Sequence, residues 1–245
     1  MTTGGAIEGV DGVDGVAPVL AGRLAVVARG AVELATCARW VKGVLAAKSA
    51  WTHDFGGEQY ALGRAFYTHL ETDRAAEYFD DAVRSDALVE AHAPGLQAAL
   101  RELAAGVVGA RVVARAGWCG AGVHVFTADG PVARGGGVVH FDTEGLAEGH
   151  VARRARALSL VLMLQPAVRG GGLRVWPALY DGADHPGDAV LAAGGDALVE
   201  SGAGDLAVFD SYRLHQIQPF DGPRERISAT LHLAEIDRGL WESWF

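Results

Sequence analysis

The chain has 245 residues, half of them hydrophobic and 21% charged, which suits one enlarged domain with a substantial core and excludes a disordered or fibrous protein. Acidic residues outnumber basic ones by 30 to 21, a net charge of −9, so the chain lacks the cationic surplus that nucleic-acid binding draws on. Cys37 and Cys119 are too few for a disulfide framework and lack Cys-x-x-Cys spacing, so they are expected to be reduced thiols of a cytoplasmic protein.

Residues 1–20 carry Gly-Val-Asp turns and no basic region ahead of an apolar core. They read as a flexible or loosely docked arm, not a signal peptide. Residues 21–245 read as a single domain. A valine-containing run at 23–29 suggests a strand, and from about 33 to 48 apolar residues fall at three- and four-residue steps, the period of a helix. Further helical stretches are expected at 61–69, from 74, and at 85–106, where Pro94 marks a break. The segment 21–109 is therefore expected to be mainly helical. Beyond it, short β-rich runs separated by Gly, Asp and Pro occupy 110–116, 122–127, 137–141, 158–165, 173–176, 205–210 and 226–234. The fold class expected is α+β, a helical N-terminal layer on a jelly roll (residues 110–245). The longest apolar stretch, 157–164, is far below the ~20 residues a membrane span needs, so no membrane association is expected. The oligomeric state is open.

Most of the nine histidines carry no signal; His53, His92, His150 and His185 sit in polar or turn-like surroundings and are expected to be solvated. His140 is different. It ends a short strand two residues before Asp142, and residues i and i+2 of a strand face the same way. His215 follows the run 205–210 and a short turn. Two histidines and one carboxylate leave three positions of an octahedral ion open, the facial set of non-haem Fe(II) oxygenases. Eleven residues past His215, Arg226, Ser228, Thr230 and His232 alternate onto one face of a strand. A guanidinium fork beside a hydroxyl suits a bound carboxylate.

With His140-Phe141-Asp142, His215 and the Arg-x-Ser at Arg226 and Ser228 in this order, the sequence resembles the Fe(II)/2-oxoglutarate-dependent oxygenase superfamily over roughly residues 110–235. The stretch LSLVLMLQPAVRGGGLRVW resembles the family's strand–turn–strand ahead of the distal histidine. The resemblance implies a double-stranded β-helix in which His140, Asp142 and His215 hold Fe(II), and Arg226 and Ser228 bind the distal carboxylate of 2-oxoglutarate. It implies a dioxygenase that uses O2 to oxidise a small molecule, with release of succinate and CO2. Arg224 competes for the role of Arg226, and the Arg-x-Ser spacing favours Arg226. Halogenases of the family have a small residue in place of the carboxylate ligand; the retained Asp142 implies hydroxylation, cyclisation or desaturation instead.

The substrate class suggested by the resemblance is an amino acid or a specialised-metabolite intermediate. Tyr67, His69 and Glu71 are candidates to line the barrel's open end. His124 reads either as a site residue or as core, and the aromatics Trp241, Trp244 and Phe245 either close over the pocket or pack against the N-terminal helices. Two other classes compete. A cupin-type metalloenzyme wants a His-x-His, Glu, His set, where this chain has Asp142 and only Glu144 nearby; a non-catalytic jelly-roll binding protein needs neither the convergent ligands nor Arg226.

Overall fold

The alternation of side chains along two central strands positions everything else. The computed structural model describes residues 7–14, 16–183 and 187–245. Strands β1 (Ile7–Asp11) and β2 (Ala25–Arg29) flank a short helix α1 (Val16–Leu20) and pair in parallel. Of the arm expected over residues 1–20, Ile7–Asp11 is an edge strand docked on β2 and Val16–Leu20 is α1, while residues 1–6 and 15 lie outside the described residues. Helix α2 (Leu34–Ala46) follows, as its apolar period requires. The next two elements, β3 (Thr52–Asp54) and β4 (Gln59–Leu62), are strands that pair with each other. They add a hairpin to a first half that is otherwise mainly helical, as expected, and the helix expected at 61–69 begins only at Phe66, as α3 (Phe66–Glu71). Helices α4 (Ala75–His92) and α5 (Leu96–Val108) are separated at Pro94, where the missing amide hydrogen and fixed φ favour a break.

The remaining strands are β5 (Arg111–Ala114), β6 (Gly122–Phe126), β7 (Ala157–Gln165), β8 (Arg169–Gly170), β9 (Leu173–Leu179), β10 (Ala197–Val199), β11 (Leu206–Asp210), β12 (Arg213–Ile217), β13 (Phe220–Asp221), β14 (Arg226–Asp237) and β15 (Leu240–Trp244). Short helices α6 (Pro131–Gly135), α7 (Glu148–Ala152) and α8 (Asp188–Ala192) lie in the connections. Among the described residues, ten strands form one sheet whose main path runs β1-β2-β11-β7-β14-β6-β4-β3, with β15 joining β14 to β5. A smaller sheet, β10-β9-β12, and the pair β13-β8 complete the β structure. The strand expected over 137–141 narrows to a bridge between His140 and His215.

Leu158, Leu160, Leu162 and Leu164 of β7 and Ile227, Ala229, Leu231 and Leu233 of β14 point to one face of the large sheet. There they form the main core with Trp40 and Val44 of α2 and Leu96 and Leu100 of α5. Burying a leucine there contributes about 1.5–3 kcal/mol through removal of apolar area from water. The opposite face carries the other parity. Val27, Ala207 and Phe209 pack against Leu173, Val175 and Val199 of the smaller sheet, and beside this cluster the inward residues turn polar: Ser159, Arg226, Ser228, Thr230 and His232. Apolar residues thus set the helix-bearing face, and the polar ones line what lies between the sheets.

The C-terminal aromatics are all buried in packed clusters. Trp241 belongs to the main core, Trp244 packs with Leu146, Tyr212 and Ala234, and Phe245 packs with Ala61 and Ala65. Phe245 sits so close to β6 that a Cβ on Gly122 would lie 2.0 Å from its ring.

Candidate metal centre and cosubstrate pocket

Val138, His140 and Asp142 alternate along one segment and line the same cavity, while Phe141 between them buries with Trp176 and Leu214. On β12, His215 and Ile217 line the cavity and Leu214 faces away. Reciprocal backbone hydrogen bonds join the two segments, His140 N–H to His215 O at 3.1 Å and His215 N–H to His140 O at 2.9 Å. The imidazoles therefore stand side by side, with centroids 4.2 Å apart.

Both rings are held in the same way. His140 Nδ1–H donates to Val138 O and His215 Nδ1–H to Arg213 O, each at 2.9 Å. These bonds tie down each Nδ1 and turn each Nε2 toward Asp142, the usual preparation of a histidine for a metal. His140 Nε2 lies 3.5 Å from Asp142 Oδ1 and His215 Nε2 lies 3.5 Å from Asp142 Oδ2. One ligand atom from each of the three residues falls within 4.8 Å of the others.

Asp142 is anchored in turn. Ser159 Oγ donates to its Oδ2 at 2.5 Å. With its one hydrogen committed there, the Ser159 oxygen accepts from Ser211 Oγ at 2.9 Å and from His232 Nδ1–H at 3.2 Å. Burial alone would push the Asp142 carboxyl up, but the positive potential of His215 and His232 and the hydrogen bonds of His140 and His215 hold it well below the usual carboxylate range. The same pairing acts on His140. Partial burial disfavours its cation, yet the hydrogen bond and charge of Asp142 raise it to about 9. Glu144 is pushed up to about 7 by burial and by the neighbouring Asp142 charge.

Arg226 lies in the same cavity, 2% exposed. Its Nε–H donates to Gly171 O at 2.8 Å and its Nη1 to Ser228 Oγ at 3.3 Å. Gly171 adopts φ +75°, and a Cβ there would crowd Arg226 Cδ at 3.3 Å, so the run Gly170-Gly171-Gly172 wraps the arginine closely. None of the described ion pairs involves Arg226, and desolvation alone lowers it to about 10. An unpaired buried guanidinium is costly. A bound carboxylate removes that cost. Arg224 is exposed, outside β14.

The other candidates are placed as follows. His124 and His232 line the cavity, as do Tyr67 and Glu71. His69 does not: it is buried, donates through Nδ1 to Ala65 O and meets Arg64 Nη1 through Nε2. His150 is buried, contrary to expectation, because its Nδ1 accepts the Ala147 N–H at the start of α7. His53 is exposed and His92 half-buried, and His185 lies outside the described residues. Ser159 and Ser211 were missed. The signal for Ser159 is its place in β7: a polar residue at inward parity in an otherwise apolar run. Ser211 lies in a turn that gives no such signal.

No protein-family model matches the sequence, and no curated protein matches it significantly. Solved structures do match. An N-substituted L-amino acid dioxygenase from Burkholderia ambifaria AMMD, in complex with alpha-KG (2-oxoglutarate), is 17% identical, with a TM-score of 0.55 over 92% of this chain and 87% of that one. SnoK, a non-heme alpha ketoglutarate dependent carbocyclase from nogalamycin biosynthesis, is 15% identical, with a TM-score of 0.59 over 91% and 83%. A prolyl hydroxylase from Trichoplax adhaerens, in complex with a hypoxia inducible factor peptide, is 12% identical, with a TM-score of 0.52 over 89% and 86%. The chain has the sheet-rich fold of the Fe(II)/2-oxoglutarate-dependent dioxygenases.

Proposed function

We propose that the chain is an Fe(II)/2-oxoglutarate-dependent dioxygenase. It hydroxylates, desaturates or cyclises a small molecule of the amino-acid or specialised-metabolite-intermediate class and converts 2-oxoglutarate to succinate and CO2. The observation that carries this reading is the pairing, in one cavity of about 310 Å³, of the His140–Asp142–His215 cluster with a buried arginine that has no counter-charge among the described residues. A cation site and an anion site within one cavity suit a metal and a dicarboxylate together.

The donor set fits Fe(II): two imidazole nitrogens and one carboxylate oxygen, all pre-oriented, with the Nε2 proton that His140 holds beside Asp142 giving way to the metal. Bound there, the metal would supply the redox chemistry that O2 activation needs, with 2-oxoglutarate as the reductant. The chain's own residues do the rest. His140 and His215 present Nε2, Ser159 holds Asp142 in place, and Arg226 with Ser228 receives the distal carboxylate. Phe209 and Val161 line the same cavity with apolar surface and keep water out.

In this reading the sheets form a double-stranded β-helix, with residues 21–245 as one oxygenase domain and the helices as its N-terminal support. The partner is a small molecule, with no nucleic acid and no membrane involved, in the cytoplasm. No helix among the described residues is long and apolar enough to cross a membrane. The test is an anaerobic Fe(II) titration with and without 2-oxoglutarate. The expected result is a weak visible charge-transfer band that needs both; its absence in protein that binds Fe(II) would overturn the reading.

A further inference from the structure

The cavity has two ends of opposite character. Arg226 closes the inner end, and among the described lining residues there is no other arginine or lysine. If the cosubstrate's carboxylate occupies it, no cation is left to receive an acidic substrate. The outer end is acidic. Glu58 and Glu71, both exposed, line it together with Phe55 and Tyr67. Tyr67 and Glu71 are four residues apart on α3, so they share one face.

The aromatic wall is pre-built. Gln59 Nε2 donates to Tyr67 Oη, and burial holds the phenol protonated, well above its ordinary range. The Phe55 and Tyr67 rings lie 6.1 Å apart and are tilted by 31°. Ring faces beside carboxylates attract an organic cation, and they give nothing to a carboxylate. The wall behind these rings is neutral. His124 is 7% exposed and lines the cavity, with its ring 5.9 Å from that of Tyr67, yet its Nδ1 has no hydrogen-bond partner. That atom is sealed from the cavity as well as from solvent, so nothing there offsets the cost of charging the ring. Burial pushes His124 down to about 3, so this ring stays neutral and adds no positive charge to the wall.

Resting on the oxygenase reading, we propose that the substrate presents a protonated amine and no free carboxylate to this outer end, where Glu58, Glu71 and the rings of Phe55 and Tyr67 receive it. Within the substrate class proposed above, this selects amines, or amino acids whose carboxyl group is masked, over free zwitterions.

Two probes of equal size and opposite charge test it: 3-phenylpropylamine and 3-phenylpropionate, titrated into the full chain loaded anaerobically with Fe(II) and 2-oxoglutarate. Loading occupies the His140–Asp142–His215 cluster and Arg226, so neither probe can bind there. Calorimetry should show the amine binding at least about tenfold more tightly than the carboxylate. Glu58→Gln and Glu71→Gln should each weaken the amine several-fold, and the double variant should erase the preference. Equal or tighter binding of phenylpropionate, a preference that survives in the double variant, or no binding of either probe would overturn the proposal. The visible band is recorded first for every variant. A missing band sinks the oxygenase reading itself and this inference with it, whereas a normal band without amine preference sinks this inference alone.

Discussion

Ser159 Oγ donates to Asp142 Oδ2 at 2.5 Å, across two segments that do not pair with each other but both bond to the Ser211 backbone, whose N–H donates to Ala157 O and whose O accepts Asp142 N–H. The serine stands on β7 at the parity that faces the cavity, and it is fully buried. It fixes which carboxylate oxygen faces His215 and which faces His140. Groups that orient a ligand in this way typically contribute 10- to 100-fold in metal affinity. Ser159→Ala should therefore weaken Fe(II) binding by about 10- to 100-fold, with an unchanged far-ultraviolet circular dichroism spectrum. An affinity equal to wild type would show that the backbone alone orients Asp142.

His140→Ala, Asp142→Ala and His215→Ala should each remove stoichiometric Fe(II) binding, measured by metal analysis after anaerobic desalting. The fold should survive in all three, because the main core lies on the other face of the large sheet, among the leucines of β7 and the helices. A variant that keeps one tightly bound Fe(II) would displace that residue from the ligand set.

Arg226→Ala should raise the dissociation constant for 2-oxoglutarate by a factor corresponding to about 2–5 kcal/mol, the range for truncating one side of a buried charge pair. Arg226→Lys keeps the charge but loses the planar fork, so it should fall between wild type and Ala. Arg224→Ala should change little, since that side chain is exposed. The charge-transfer band, followed as 2-oxoglutarate is added, ranks the three. If Arg224→Ala had the larger effect, the anchor would be misassigned.

Much of this centre was legible because its signals are local. A His-x-Asp at the end of a β-rich run and a period-two row from Arg226 to His232 need only strand parity to bring their side chains onto one face. Residues whose role comes from pairing between distant segments were harder to read. Ser211 comes beside Asp142 only through the hydrogen bond of Asp142 N–H to Ser211 O. The strands at 52–54 and 59–62 were hidden because each is only three or four residues long, too short for a period to emerge. The sheet supplies their hydrogen-bond partners, and that overrides local propensity. His69 looked like a cavity residue for the opposite reason. Its neighbours Tyr67 and Glu71 do face the cavity, but at a helical step of 100° per residue His69 turns toward Arg64.

Acid should loosen the adjoining ends of β2 and β11 at Asp205. Its Oδ1 accepts Gly30 N–H at 3.0 Å, and its Oδ2 accepts Gly202 N–H at 2.9 Å and Arg29 Nη1 at 2.6 Å. Burial opposes the charge, but these hydrogen bonds outweigh it and depress the carboxyl below its ordinary value. A carboxyl depressed in the folded state contributes stability that is fully present above its unfolded value of about 3.9 and is lost as pH falls through the lower folded value. Asp205→Asn should lower Tm at pH 7, and the gap from wild type should shrink as pH is taken below about 4. Thermal melts across that range check the sign; a gap that widened in acid would contradict it.

The last prediction concerns what is added to the substrate. Asp142 places a carboxylate beside both histidines, and Ser159, with Ser211 and His232 behind it, locks that carboxylate in place. It fills the position a halide ligand would take and adds negative charge there, so chloride is disfavoured sterically and electrostatically. Products formed by the wild-type protein should gain oxygen or lose hydrogen, and should be the same in chloride and bromide buffers. Asp142→Gly vacates the position but also strands Ser159, Ser211 and His232 without the carboxylate they converge on, so little or no halogenated product is expected from it. Mass spectrometry of the products in the two buffers decides the matter, because chlorine and bromine leave distinct isotope patterns. A halogen pattern in the wild-type product would show that Asp142 moves out of the position in which the structure holds it.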